Sequence, residues 1–201
     1  MDWKECKKII LSDIRRSVKG KITIFTFIYN YCIKESVKVS VWLRLGNYFY
    51  AKKTFLFRFL FYFSKVYYKH IEHKTGIQVP IGTDIGQGLK FFHHGCIIVA
   101  QSAKIGNNVS IHQGVTIGRV FAGNYVGVPT IGNNVVIFAG AKLLGNIKVG
   151  DGAVIGANAV VVKDVPSNAV VAGIPAKVIS VDSNKCFNKI WGEAFLHDYY
   201  E

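Results

Sequence analysis

The sequence contains few acidic residues, few prolines and few cysteines. Its 201 residues include 12 Asp and Glu against 25 Lys and Arg, for a formal net charge of +13, with only 4 Pro and 4 Cys. No CxxC pair occurs among the cysteines, which are Cys6, Cys32, Cys96 and Cys186. This spacing excludes a paired-cysteine zinc finger and gives no disulfide framework, so we expect reduced thiols in a cytoplasmic protein.

The chain also lacks a long hydrophobic run. The two most apolar stretches, ITIFTFIYNYCI at 22–33 and TFLFRFLFYF at 54–63, are shorter than the roughly 20 residues that a membrane-spanning helix needs. The first ten residues mix charges and show no apolar segment followed by a cleavage site, so no signal peptide is predicted. We expect a protein that does not cross a membrane.

Positive charge is concentrated in residues 1–75, which carry 16 of the 25 Lys and Arg and no proline. Large apolar residues recur there at three- and four-residue spacing, and this pattern predicts amphipathic helices. We expect their faces to pack on the rest of the protein or on another subunit; the alternative is peripheral contact with the inner face of the membrane. No nucleic-acid partner is expected, because the remaining chain has few basic residues and no nucleic-acid-binding motif.

From Val99 onward an aliphatic residue recurs at every sixth position. The phase is interrupted once, by the inserted loop RVFAGNYVGVPT, and all ten expected positions are Val, Ile or Leu: Val99, Ile105, Ile111, Ile117, Ile131, Ile137, Leu143, Val149, Ile155 and Val161. A period of six is typical of a parallel β-helix, in which three six-residue units close one coil and the aliphatic side chains fill the prism. Recurring Gly and Asn supply the left-handed backbone conformations that its turns require.

The stretch from about 76 to 179 resembles the hexapeptide-repeat acyltransferases, in the branch of the serine O-acetyltransferases and the acetyltransferases of polysaccharide synthesis. The resemblance rests on IGQGLKFFHHGCIIV, AKIGNNVSIHQGVTIG, PTIGNNVVIFAGAKLLGNIKVGDGAVIGANAVVVKDVP and AGIPAKVI. It implies a mainly β fold with a left-handed parallel β-helix, a homotrimer, and acetyl-CoA as acyl donor in the groove between neighbouring prisms. We expect an N-terminal helical segment at 1–75, a β-helix at 76–181 with a loop at 119–130, and a tail at 182–201 with a short C-terminal helix.

In this family a histidine that follows GL and a short strand is the catalytic base, and the matched frame gives that role to His93. A hydroxyl is a weak nucleophile until a base accepts its proton, and imidazole suits that task near neutral pH. Serine acetyltransferases have an aspartate fifteen residues before the base; here that position is Gln78, whose amide holds an imidazole tautomer but supplies no charge. Their aspartate directly before the base is Phe92 here. His94 is expected to shape the acceptor pocket.

For acetyl-CoA the resemblance points to the late coils. Ala139 and Ala157 match positions whose backbone contacts the pantetheine arm, and Lys163 and Lys177 match positions where cations meet the nucleotide phosphates. No metal cofactor is expected.

The acceptor is predicted from what the inserted loop lacks. Serine acetyltransferases hold the amino acid with an Arg-His-Pro-like sequence, and here Gly127 and Val128 replace its first two residues. A serine carboxylate needs a cation, whereas a neutral sugar does not. Since Phe121, Asn124 and Tyr125 offer groups that suit a sugar, we predict an O-acetyltransferase acting on a sugar in surface polysaccharide synthesis. The alternative is a serine O-acetyltransferase of cysteine synthesis.

Two rival hypotheses concern the histidines and a cysteine. His93, His94 and His112 could supply three ligands to zinc between subunits, because His112 follows His94 by eighteen residues, the length of one coil. The chain would then be a metal-binding or catalytically inactive scaffold. Cys96 could form a Cys–His nucleophile with His93, but a small buried side chain in a tight coil explains it better.

Overall fold

The computed structural model describes residues 2–18, 21–52 and 54–183. Within these ranges four helices come first and short strands follow. The helices are α1 (Trp3–Arg15), α2 (Ile24–Ile33), α3 (Glu35–Tyr50) and α4 (Phe55–Thr75). They confirm the helical N-terminal segment, while the helix predicted in the C-terminal tail falls on residues 184–201, outside the described part of the chain.

Local sequence determines where these helices begin and end. The Asp2 carboxylate caps α1 by accepting a hydrogen bond of 2.7 Å from the backbone N–H of Glu5. At the other end of the helical segment, α4 stops at Gly76, which has a φ of +68° and donates its N–H to the Glu72 carbonyl. A Cβ on Gly76 would lie 3.0 Å from the backbone nitrogen of Cys96, so only glycine lets the chain enter the first strand this close to the next coil.

The strands form three parallel sheets, because successive strands enter successive sheets and three strands close one coil. Sheet A contains β1 (Ile77–Gln78), β4 (Ile97–Val99), β7 (Thr116–Gly118), β10 (Lys142–Leu144) and β13 (Val160–Val161). Sheet B contains β2 (Asp84–Ile85), β5 (Lys104–Ile105), β8 (Thr130–Ile131) and β11 (Lys148–Val149). Sheet C contains β3 (Lys90–Phe91), β6 (Ser110–Ile111), β9 (Val136–Ile137), β12 (Val154–Ile155), β14 (Val170–Ala172) and the antiparallel β15 (Lys177–Ser180).

The registers confirm the six-residue period. Ile117, for example, aligns with Val99 in the coil before it and with Leu143 in the coil after it. All ten predicted aliphatic residues are at most 4% exposed, so they form one continuous apolar column inside the prism. Each coil therefore contributes to a core that no single coil could bury.

Helices α3 and α4 cover the end of the prism where the first coil begins. Leu43 of α3 and Ile71 of α4 belong to the same buried cluster as Ile77 of the first coil. The Tyr68 hydroxyl donates a 2.9 Å hydrogen bond to the carbonyl of Val79. This packing removes from water the apolar end that an open β-helix would expose.

A buried ion pair also joins the helices to the first coil. Arg44 of α3 donates from Nε to the Asp13 carboxylate of α1 at 2.8 Å, and the side chains are 3% and 0% exposed. Asp13 also accepts the Leu89 N–H at 2.8 Å, and Arg44 donates to the Ile85 carbonyl at 2.7 Å. These bonds satisfy both charges and fix α1 and α3 on the coil that leads to His93.

Candidate active site

His93 lies in an expanded corner of the prism. The corners that join sheet C to sheet A stack along one edge, named here the C–A edge (residues 92–96, 112–115, 138–141 and 156–159). In the first corner eight positions separate the buried residues Phe91 and Val99, whereas six separate Ile111 and Ile117 in the next coil. The two extra residues make the corner protrude, and both His93 and His94 are exposed.

His112 lies in the next corner of the same edge and is part of an aromatic stack. Its ring is parallel to the Phe92 ring with centroids 4.4 Å apart, and the Phe138 ring of the following coil is 5.0 Å away on a tilt of 31°. The His93 and His112 ring centroids are 6.4 Å apart. Stacking on successive coils follows from the register, which aligns Phe91, Ile111 and Ile137 and therefore the residue after each.

Burial in this stack keeps His112 uncharged. The pKa of His112 is lowered to about 4, mainly by desolvation and in the same direction by the nearby charges of His93 and Lys90. The side chain of Lys90 also lies over the Phe92 ring, with its Nζ 4.3 Å from the centroid. His112 therefore stays neutral near pH 7. From the sequence, His112 was predicted only as a possible zinc ligand, although counting from Phe91 would have placed it on this edge.

Gln78 lies on the outer face of sheet A. It is exposed, and its backbone pairs with Ile98 in β4, the strand that leaves the His93 corner. Gln78 therefore lies on the strand next to the one that follows the His93 corner. Its role toward the imidazole stays a prediction.

The positions matched to acetyl-CoA divide between two ends of the strands. Ala139 and Ala157 are equivalent residues of successive corners on the C–A edge, where the Asn158 N–H donates to the Ala139 carbonyl at 2.8 Å. Lys177 begins β15, after the turn that reverses the chain at the end of β14, and its side chain is exposed. Lys163 is exposed as well but follows β13, at the opposite end of a sheet A strand.

The inserted loop also leaves the prism at that opposite end, between β7 and β8. Two backbone hydrogen bonds of 3.0 Å join Val120 and Gly127 across it, and the Asn146 N–H donates to the Tyr125 carbonyl. Phe121, Asn124 and Tyr125 are all exposed. Because His93 lies before a sheet A strand and the loop follows one, a single chain holds these residues at different edges of the prism.

Arg119, at the base of the loop, was missed by sequence analysis. It is the only charged residue of the inserted loop. Its guanidinium donates to the Ser102 hydroxyl at 2.9 Å and lies 5.9 Å from the centre of the Phe121 ring. The cation that this loop lacks at 127 and 128 is therefore present eight residues earlier.

Two expectations about neighbouring residues were wrong. Cys96 is exposed, with a φ of +51°, because the expanded corner carries it out of the prism. His112 aligns with Phe92 and not with His94, since the first coil is two residues longer than the eighteen assumed. Among the described residues, no group of three His, Cys, Asp or Glu is arranged to hold a metal ion.

Known proteins with a similar sequence or structure are hexapeptide-repeat transferases. Residues 129–163 match the family model for the bacterial transferase hexapeptide, described as six repeats. The solved structure of serine acetyltransferase from Brucella abortus superposes with a TM-score of 0.71 at 29% identity, covering 89% of this chain and 70% of that one. The serine complex of the Neisseria gonorrhoeae enzyme gives 0.71 at 27%, with the same coverage. The fold is the left-handed β-helix of the hexapeptide-repeat proteins, as expected.

Sequence relatives narrow the class. Serine acetyltransferase of Synechococcus elongatus is 44% identical over 106 residues, which are 52% of this chain and 43% of the relative. Serine acetyltransferase of Staphylococcus aureus is 45% identical over 109 residues, 54% of this chain and 51% of the relative. These similarities support the resemblance to the hexapeptide-repeat acyltransferases, in the serine O-acetyltransferase-like branch. It spans about half the length of these curated relatives.

The prediction of a sugar acceptor in polysaccharide synthesis was wrong. These relatives and structural neighbours are serine acetyltransferases, the alternative named from the sequence. The prediction relied on the missing cation at 127 and 128 and on aromatic groups free to stack on a sugar. The structure weakens both arguments, because Arg119 supplies a cation in the same loop and its guanidinium lies beside the Phe121 ring.

Proposed function

We propose that the chain catalyses transfer of the acetyl group of acetyl-CoA to the hydroxyl of L-serine. The observation that carries this proposal is the similarity to serine acetyltransferases, one of them solved with serine. It is supported by the common edge that holds His93 and the matched positions Ala139 and Ala157. The products are O-acetylserine and free CoA thiol.

His93 acts as the general base. As the serine oxygen attacks the thioester carbonyl, the imidazole accepts the hydroxyl proton and becomes a cation. When the tetrahedral intermediate collapses, the carbon–sulfur bond breaks and the thiolate takes a proton back from this imidazolium. Exposure on the protruding corner leaves the imidazole accessible to both substrates.

The aromatic stack positions this base without competing for the proton. A protonated His112 would repel the imidazolium that forms on His93, with ring centroids only 6.4 Å apart. Because its pKa lies near 4, His112 is neutral at the working pH and adds no such repulsion. Phe92, held between Lys90 and His112, fixes the backbone from which the His93 corner projects.

Acetyl-CoA lies along the C–A edge. Three strand spacings separate β3 from β12, a distance of about 14 Å, over which an extended pantetheine arm reaches from Ala157 past Ala139 to the His93 corner. The nucleotide phosphates then lie beyond Ala157, toward the end of the prism where Lys177 is exposed, and Lys163, at the opposite end of a sheet A strand, meets them from a neighbouring subunit.

The complete site requires more than one chain, and we include a homotrimer in the proposal. The inserted loop and His93 lie at different edges of one prism, so the loop of a neighbouring subunit is the one that approaches His93. Arg119 of that loop binds the serine carboxylate, while Asn124 and Tyr125 contribute polar groups around the acceptor. His94 and Gln78 border the same pocket. The reaction takes place in the cytoplasm, where acetyl-CoA is available.

Release of CoA thiol from acetyl-CoA tests the proposal directly. The purified chain is assayed with L-serine, with serinamide and without an acceptor, and the product is identified by mass. We expect rapid thiol release with serine, O-acetylserine as product, and a much higher KM for serinamide because it lacks the carboxylate. A rate with serine no higher than the rate without acceptor would contradict the proposal.

A further inference from the structure

Helix α4 exposes an apolar face to solvent. Its first three turns carry large side chains that are 59–88% exposed: Phe55, Leu56, Phe59, Tyr62, Phe63 and Val66. Their three- and four-residue spacing puts them on one side of the helix, opposite the buried residues Ser64 and Tyr68. The face is therefore not needed to pack this helix on the protein.

Helix α2 exposes a second apolar face. Five of its large side chains are 53–81% exposed: Ile24, Phe25, Ile28, Tyr29 and Ile33. The two helices adjoin through Trp42 of α3, whose indole N–H donates to the Tyr31 hydroxyl at 2.7 Å and whose ring lies 4.6 Å from that of Tyr67. Eleven exposed apolar side chains on neighbouring helices exceed what scattered surface residues account for.

Positive charge borders this apolar surface. A cavity of about 440 Å³ between the end of α3 and the start of α4 is lined by Phe49, Tyr50, Lys52, Arg58, Phe61 and Tyr62. Residues 1–75 carry 16 Lys and Arg against 5 Asp and Glu. Two of those acids, Asp13 and Glu72, are buried, and Glu35 pairs with Lys38 and Lys74, so the outward charge is strongly positive.

We propose that the exposed faces of α2 and α4, named here the helical docking surface, bind the surface of an anionic phospholipid membrane. The aromatic and aliphatic side chains enter the boundary between headgroups and acyl chains, and Lys52 and Arg58 meet lipid phosphates at its margin. The helices lie on the membrane and do not cross it: no helix in the described ranges is long and apolar enough to span a bilayer.

The positive charge around the helical docking surface favours a membrane as its partner over a second copy of the chain. Two copies meeting through this surface would bring two strongly positive segments together, which costs free energy at low salt. An anionic bilayer provides both an apolar acyl-chain region and headgroups of opposite charge. The inference is independent of the acetyl-transfer chemistry, because the docking surface contains none of the residues assigned to that reaction.

Cosedimentation with vesicles tests the proposal with the full chain. We expect binding to phosphatidylcholine vesicles that contain phosphatidylglycerol, weaker binding to pure phosphatidylcholine, and loss of binding as salt rises. The double variant Phe59→Ser, Phe63→Ser and the double variant Lys52→Gln, Arg58→Gln should each bind roughly tenfold or more weakly. The matched variants Val181→Ser and Lys148→Gln, which change an exposed apolar residue and an exposed lysine elsewhere, should bind like the wild type.

Serine-dependent thiol release by each variant serves as the folding control and should be unchanged. Vesicle binding by the two double variants equal to that of the wild type would overturn the proposal. So would a wild-type chain that ignores anionic vesicles but whose oligomer, measured by analytical ultracentrifugation, dissociates when Phe59 and Phe63 are replaced. That result would assign the surface to self-association.

Discussion

The imidazole rings of His93 and His112 lie 6.4 Å apart on successive coils, one exposed and the other half-buried between two phenylalanines. Two histidines on one edge of the prism therefore have different environments. Exposure makes His93 available to substrates, whereas burial lowers the pKa of His112 and keeps it neutral. In the proposed function, His93 transfers the proton and His112 has a packing role.

The lowered pKa of His112 predicts a pH-dependent stability. In the unfolded chain a histidine has a pKa of about 6.5, and in the folded protein the pKa of His112 is about 4, so between these pH values the unfolded state binds more protons. The contribution of neutral His112 to the free energy of unfolding is complete above about pH 6.5 and is lost as the pH falls toward 4. Because the ring is only partly buried, we expect on the order of 1–2 kcal/mol.

Urea unfolding of wild type and the His112→Gln variant at a series of pH values measures this effect. The difference in free energy of unfolding should shrink as the pH is lowered from about 6.5 to about 4 and should be constant below that range. A difference that does not change with pH would show that His112 has an ordinary pKa.

Arg119→Met tests the proposed recognition of the serine carboxylate. Loss of a charge-assisted hydrogen bond of about 1.5–3 kcal/mol should raise the KM for serine roughly 10-fold to 100-fold and leave the KM for acetyl-CoA unchanged. The variant should also lose the preference for serine over serinamide. Lys148→Met, which removes an exposed cation from another part of the prism, is the control. An unchanged KM for serine in Arg119→Met would exclude this role.

Asp13→Ala should destabilise the protein strongly. Removing the carboxylate leaves the Arg44 guanidinium buried beside an empty position and deprives the Leu89 N–H of its acceptor, at a cost of about 3–5 kcal/mol. Glu35→Ala removes a more exposed carboxylate that pairs with Lys38 and Lys74, and should cost less than about 1 kcal/mol. Chemical denaturation compares the two variants. Equal losses would mean that the buried pair does not hold the helices on the first coil.

Gly106→Ala tests the close stacking of coils. Gly106 has no positive φ, but a Cβ there would lie 2.6 Å from the carbonyl carbon of Gly132, so the next coil must shift, at a cost of roughly 1–3 kcal/mol. Gly156→Ala is the graded control, because its Cβ would lie 3.1 Å from the nearest atoms. The melting temperature should fall clearly more for Gly106→Ala than for Gly156→Ala. The reverse order would contradict this packing.

The sequence was sufficient to predict the prism and the helices but not the details of the first coil. Ten aliphatic residues in phase defined the core because every coil repeats the same burial. Phe91 is an aromatic residue in the position that aliphatics occupy elsewhere, and the corner after it is two residues longer. The six-residue repeat was therefore recognised only from Val99 onward. As a result His112 was aligned with His94, whereas in the structure it stacks on Phe92.

The acceptor was mispredicted for a related reason. A motif comparison shows only which residues occupy positions 127 and 128. A carboxylate can bind any cation that the fold brings close to it, whatever the sequence position of that cation. Arg119 lies eight residues before Gly127, and the bridge between Val120 and Gly127 brings the two ends of the loop together. Only the folded loop reveals that arrangement.

Serine-dependent release of CoA thiol by His93→Ala, compared with His94→Ala and wild type, tests the central claim most directly. If His93 is the general base, kcat should fall by about 10²–10⁴ in His93→Ala, while His94→Ala should keep its kcat and change only the KM for serine. Full turnover of serine by a folded His93→Ala protein would contradict the account.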